Sequence, residues 1–192
     1  MRRILIICCA LLAAGIVNGA ELRAGGGFGW LLSPSLDDIN TIPTVDRTRG
    51  GGSITIQMLC KRMSCMRNMK YGAEVSFLRS YRYEYHVPAT TEITLNSFPL
   101  LALCEYSFVR EKRIEPFMQA GIGFTHNRLI TEIDATTDTA LSNDFTLMLG
   151  PGFTVKLNEK WKAGILANYY LIFTGGDYTK RFNLSGVLSY LL

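Results

Sequence analysis

From residue 20 onward, apolar and polar residues alternate with a period of two, the spacing of a β-strand with one face in each of two environments. The first run, Leu22 to Leu32, places Leu22, Ala24, Gly26, Phe28 and Trp30 on one face, and Arg23 with Gly25, Gly27 and Gly29 on the other. A second, Gly51 to Leu59, sets Ile54, Ile56 and Met58 against Ser53, Thr55 and Gln57. The third, Lys70 to Tyr85, carries Tyr71, Ala73, Val75, Phe77, Tyr81, Tyr83 and Tyr85 on one face, interrupted by Arg79. Lys70, Glu74, Ser76, Ser80, Arg82 and Glu84 lie on the other. Its length exceeds what a soluble sandwich needs and suits a tilted membrane strand with an extension beyond the bilayer, its Tyr residues forming part of an interfacial girdle. In the fourth, Thr91 to Phe108, Ile93 and Leu95 share one parity while Phe98, Leu100, Ala102, Cys104 and Tyr106 take the other. The slip predicts a bulge at Pro99, which lacks a donor N–H, and turns Glu105 inward. Further strands are expected over Ile114 to Thr125, Asp144 to Lys156, Lys160 to Phe173 and Arg181 to Leu192.

Eight strands is an even number, as closure with both ends of the chain on one side requires. The connections after strands two, four and six are compact and polar, whereas Ser33 to Arg49 and His126 to Asn143 are expected as long loops. The fold class is therefore all-β, an eight-stranded antiparallel up-and-down transmembrane β-barrel. Its apolar faces meet lipid, and its backbone polar groups are satisfied around the ring. Glycines on the inner faces leave room for large side chains across a narrow lumen, and Arg23, Glu74, Arg82, Glu84 and Glu105 are the candidates for a paired polar network there, since an unpaired charge would cost several kcal/mol.

The chain begins differently. Arg2 and Arg3 precede the apolar run Ile4 to Val17 and the small residues near Gly19 and Ala20, the form of a secretory signal peptide cleaved after either of those two, so that residues 21–192 form the barrel domain. Of the 192 residues, 19% are charged, and the formal charge of +4 falls to about +2 once Arg2 and Arg3 are lost. That balance gives no reason to expect a nucleic-acid footprint. Export also discards Cys8 and Cys9. Cys60 and Cys65 then bracket a basic turn where a disulfide is possible, and Cys104 stands apart. No short Cys or His spacing suggests a metal, and no cofactor is expected.

Several segments are similar to the outer membrane β-barrel domain family, the small eight-stranded opacity-type and porin-like proteins of Gram-negative bacteria. They are Ser97-Phe98-Pro99-Leu100-Leu101-Ala102-Leu103, Glu115-Pro116-Phe117-Met118-Gln119-Ala120-Gly121-Ile122-Gly123, Leu149-Gly150-Pro151-Gly152, and the alternating C-terminal run from Leu184 to Leu192. The last resembles the signal read by the barrel-assembly machinery, although Leu192 stands where the family usually ends in Phe. The resemblance implies a place in the cell outer membrane among lipid and lipopolysaccharide, and a monomer is the default for a barrel that closes within one chain.

A soluble periplasmic barrel that binds an apolar ligand is disfavoured by the inner-face glycines and the outward aromatic band, and three functions of a membrane barrel compete. A non-enzymatic structural or surface-interaction role would be carried by the two long loops, whose acidic residues Asp37, Asp38, Asp46, Glu132, Asp134, Asp138 and Asp144 make cations conceivable partners. A small or gated channel would put Arg82 and Glu84 in the conduction path, though eight strands enclose little more than their own side chains. A lipid-modifying enzyme would need Ser, His and an acid at the rim, with His126 and either Ser142 or Ser80 as candidates.

Overall fold

The computed structural model describes residues 20–32, 45–48, 50–61, 68–85, 91–109, 112–133, 136–175 and 177–192. Residues 1–19, Cys65 and most of the connection after the first strand lie outside them. Nine strand segments run in chain order as β1 (Ala20–Leu31), β2 (Val45–Thr48), β3 (Gly50–Lys61), β4 (Met69–Tyr85), β5 (Thr91–Ser107), β6 (Ile114–Ile133), β7 (Thr136–Lys156), β8 (Trp161–Thr174) and β9 (Asp177–Leu191). Every pairing is antiparallel, and β4 bonds to both β3 and β5 while β1 bonds to both β3 and β9, so the sheet closes on itself. The short β2 pairs with the far end of β4, beyond the stretch that β3 occupies, and the two together fill one of eight positions in the ring. The protein is an all-β, eight-stranded antiparallel closed barrel.

Both ends of the described chain lie at one end of the barrel, where the Leu192 amide donates to the Ala20 carbonyl at 2.8 Å. At this end the connection from β7 to β8 is a tight turn. Between β7 and β8, Asn158 Oδ1 accepts from the amides of Lys160 and Trp161 at 2.9 and 2.8 Å, the side-chain turn that Asn favours. The opposite, distal end is uneven. β6 and β7 pair without a break from Ile114↔Val155 to Ile133↔Thr136, forming strands of 20 and 21 residues, about twice what a bilayer crossing needs.

The burial pattern is that of a soluble protein turned inside out. Leu22, Phe28, Ile54, Ile56, Val75, Ile122, Phe124, Leu147, Leu149, Ile165, Leu184 and Leu188 are exposed on the outer wall. Arg23, Gln57, Glu74, Glu105, Gln119, Asn168 and Arg181 are buried within. A continuous apolar exterior of this extent is untenable in water and is what a bilayer covers. Aromatic rings edge it at both ends. Trp161 stacks on Tyr190 at 4.8 Å near the termini, while Phe28, Trp30 and Phe182, and further round Phe124, Phe145 and Phe173, form contacts of 4.9 to 6.1 Å toward the distal end. Phe182 and Tyr190 lie eight residues apart on β9, which a strand tilted by about 40° converts to roughly 20 Å across the apolar band.

Three sequence expectations need correction. β5 pairs with β6 in one unbroken register through Pro99↔Thr125, so there is no bulge at Pro99. The irregularity belongs to β4, between Arg79 and Tyr81, where Ser80 is the extra residue. That insertion reverses the parity of the rest of the strand and turns Tyr81 toward the distal cavity instead of a lipid girdle. Leu95, expected outward, lines the same cavity. Finally, the expected loop from His126 to Asn143 is mostly paired strand, and Val45–Thr48 within the other expected loop is strand too.

Candidate functional site

Among the described residues, the lumen is where the chain concentrates polar chemistry. Arg23 points inward from β1, and the inward positions after it, Gly25 and Gly27, carry no side chain to compete for the space. Its guanidinium donates to Glu105 Oε2 at 2.9 Å, Glu21 Oε1 at 2.8 Å, Gln57 Oε1 at 3.1 Å and Ser189 Oγ at 3.2 Å. It also lies 4.8 Å from the centre of the Phe117 ring. Lys70 Nζ reaches the remaining carboxylate oxygens, Glu21 Oε2 at 2.8 Å and Glu105 Oε1 at 2.9 Å. Two cations and two carboxylates thus close a neutral ring of four ion pairs. Such a ring is stable in a dry interior only when each remaining hydrogen-bonding group is also satisfied.

The next groups provide that satisfaction. Gln119 Nε2 donates to Glu105 Oε2 at 2.7 Å, and Gln57 Nε2 donates to Glu74 Oε2 at 2.7 Å and to Gln119 Oε1 at 3.0 Å. Glu74 Oε1 accepts from Ser76 at 2.8 Å and from the Tyr170 hydroxyl at 2.8 Å. Because β4 and β8 stand four positions apart in a ring of eight, the Tyr170–Glu74 bond spans a full diameter. Arg23 to Glu105 crosses three positions, as does Gln57 to Gln119. Nearer the termini, Lys162 on β8 pairs with Glu115 on β6. Leu78, Leu101, Leu103, Met148 and Ile172 pack together within the lumen.

Small inward residues make this filling possible. A Cβ on Gly152 would collide with Phe117 Cζ, so the ring that supports Arg23 occupies the space that glycine leaves.

Of the residues singled out from the sequence, Arg23 and Glu105 are bonded to each other and Glu74 joins them through Gln57. Arg82 and Glu84 do not join this cluster. They lie at the distal rim, where the exposed Arg82 donates to Glu92 Oε2 at 2.7 Å and stands 3.7 Å from Glu84. That hydrogen bond holds the Glu92 carboxyl below the ordinary glutamate range. Glu21, Gln57, Lys70, Gln119 and Tyr170 complete the cluster and were not singled out. Glu21 shares the parity of Arg23, the one signal that would have found it.

The candidates for enzymatic chemistry are separated by the wall. His126 faces outward, its ring 6.4 Å from that of Phe98 and its Nδ1 2.9 Å from Asn143 Oδ1. Ser80 and Ser142 line the distal cavity, where Ser142 donates to Asp144 at 2.8 Å. A His on one face of a sheet cannot serve as base for a Ser on the other. Among the described residues no group of His, Cys, Asp or Glu is placed to hold a metal ion. Asp144, expected in a loop, is inside the distal cavity. Asp37, Asp38 and Asp134 lie outside the described residues, as does Cys65 of the suggested disulfide. Cys60 flanks Tyr71 on one side and Cys104 flanks it on the other.

No protein-family model matches the chain, and no curated protein matches it. Solved structures do. Neisserial surface protein A is 13% identical over 90% of this chain and 97% of its own, with a TM-score of 0.58. Ail, the attachment invasion locus protein of Yersinia pestis, is 11% identical over 91% and 99%, with a TM-score of 0.52. AlkL, an outer membrane protein determined in lipid bilayers, is 17% identical over 91% and 90%, with a TM-score of 0.50. At these identities the likeness is one of fold, that of small outer membrane β-barrels.

Proposed function

We propose that this chain is a non-enzymatic outer membrane β-barrel that acts by presenting a surface at its distal end, and that its lumen is closed to solutes. The observation that carries this reading is the chain of bonds across the lumen: the Arg23–Glu21–Lys70–Glu105 ring and the Tyr170–Glu74 bridge occupy the section a solute would cross. The separation of His126 from Ser80 and Ser142 speaks against acyl-transfer chemistry, and the apolar exterior with two aromatic belts speaks for residence in a bilayer.

What remains available for interaction is the distal end, above all the β6–β7 hairpin. Beyond Phe124 and Phe145 it continues with exposed Arg128, Glu132, Thr136, Thr137, Asp138 and Thr139, and with two exposed apolar side chains, Ile133 and Leu141. A hairpin that projects well past the apolar band and stays fully paired is a rigid platform, suited to contact with another surface. Two of the similar structures bear names of that kind, a surface protein and an attachment invasion protein.

The test is to express the intact protein and a variant lacking residues 130–139 in a Gram-negative host and measure adherence of the cells to host-cell and matrix surfaces. Adherence that the intact protein confers and the shortened one loses, at equal amounts of folded barrel in the outer membrane, supports the reading. Equal adherence of the two removes the hairpin from it.

A further inference from the structure

The distal end of the lumen is not filled. A cavity of about 320 Å³ opens above Ser80 and Arg181, with Leu31, Leu95, Leu129 and Ile172 supplying apolar walls. It has room for about ten water-sized groups. Arg181 is 1% exposed and donates to the Ser80 hydroxyl, but its Nε has no hydrogen-bond partner, and among the described residues it forms no ion pair. This contrasts with Arg23, whose guanidinium meets two carboxylates. A buried guanidinium with an unsatisfied N–H costs free energy unless something accepts from it, and Arg181 lines this cavity. Asp144, which lines the same cavity, is engaged elsewhere: its Oδ2 accepts from Asn127 at 2.5 Å and from Ser142 at 2.8 Å.

We infer that the distal cavity is a binding site for a small alkyl carboxylate, with the carboxylate on Arg181 and the chain among Leu31, Leu95, Leu129 and Ile172. The planar guanidinium matches a carboxylate in a way no neutral group does, and the charge-assisted bond is strongest in such a partly dry pocket. The apolar wall favours a chain of several carbons over a bare oxyanion, and the volume limits its length. The inference does not depend on what the outer surface of the hairpin contacts, although Leu129, Ala140 and Leu141 at the base of the hairpin line the cavity.

The experiment uses the folded full-length barrel in nanodiscs of uncharged phospholipid. Calorimetric titration is run with octanoate and with 1-octanol, and protein-free nanodiscs give the partitioning blank. Octanoate is expected to bind above the blank, 1-octanol to bind at least about tenfold more weakly, and Arg181→Gln to weaken octanoate by at least about tenfold while leaving 1-octanol unchanged. Leu129→Trp, which fills the cavity and leaves Arg181 in place, is expected to abolish binding. A nitrogen-15 spectrum of the wild-type Arg181 Nε–H, which needs no variant, is expected to shift with octanoate and not with 1-octanol. The inference is overturned by octanoate binding that equals the blank, by equal affinity for the alcohol, by unchanged affinity in Arg181→Gln, or by an Nε–H signal indifferent to octanoate.

Discussion

Arg23 and Arg82 are the same residue type on two strands of one barrel, and their surroundings give them opposite weight. Removing Arg23 leaves Glu21 and Glu105 facing each other with Lys70 alone between them. Arg23→Ala is expected to destabilise the barrel by about 3–5 kcal/mol, the cost of an uncompensated buried charge, and to lower the temperature at which the folded form is lost in a heat-modifiability gel. Arg82 is exposed at the rim, where a salt bridge contributes little, so Arg82→Ala is expected to leave that temperature unchanged. What Arg82→Ala does change is its partner. The carboxyl of Glu92, held low chiefly by the hydrogen bond from Arg82, is expected to titrate higher in the variant, with the Thr94 hydroxyl still bonded to it, as followed by carbon-13 shifts of the side chain across the acidic range. A steric case completes this scale. Gly152→Ala is expected to destabilise by pushing on the Phe117 ring and on the Ile165 carbonyl 2.9 Å away. Phe117→Leu in the same chain is expected to recover only the ring's share, read as coupling in a double-mutant cycle. Arg23 and Glu105 were legible as luminal because alternation alone assigns their face. Their mutual pairing was not, because a strand's sequence says nothing of which residue stands three positions round the ring. Glu21 was missed for a smaller reason, lying just outside the first strand as its apolar pattern bounded it.

At the scale of elements, the strands were legible wherever one face meets lipid. Ile54 and Ile56 on β3, or Leu147 and Leu149 on β7, announce themselves by spacing because the bilayer demands apolar side chains at every second position. The distal halves of β6 and β7 were read as loop for the converse reason. Above the bilayer both faces of the hairpin meet water, no period is imposed on residues such as Thr136, Thr137 and Asp138, and the pairing rests on backbone hydrogen bonds that leave no mark in the composition. The bulge was misplaced because the apolar Leu95 read as outward, whereas β5 keeps its alternation and Leu95 faces inward to line the distal cavity. Pro99 drew attention as a residue without an N–H, but Ser80 on β4 is the insertion. Since residues 130–139 line none of the distal cavity, deleting them is expected to leave the far-ultraviolet circular dichroism of a folded barrel intact. Loss of the folded form would show that the hairpin props the distal rim.

For the molecule as a whole, closure of the ring is what lets a short chain turn itself inside out: across the apolar band the sheet closes on itself, so no edge meets lipid, and the apolar wall can face the bilayer while polar groups satisfy one another within. Eight strands give a lumen narrow enough for single side chains to bridge, and Tyr170 does so directly to Glu74. On the proposed reading, the same narrowness that makes the polar network possible closes the path for solutes and directs function to the distal surface and its cavity. Conductance tests this most directly. Refolded protein, shown by heat modifiability to be folded, is reconstituted in a planar bilayer and recorded under an applied potential. A silent membrane at protein densities that give clear openings with a known porin is the expected result. Reproducible unitary openings from the folded wild-type barrel would contradict the closed lumen and return the channel reading to first place.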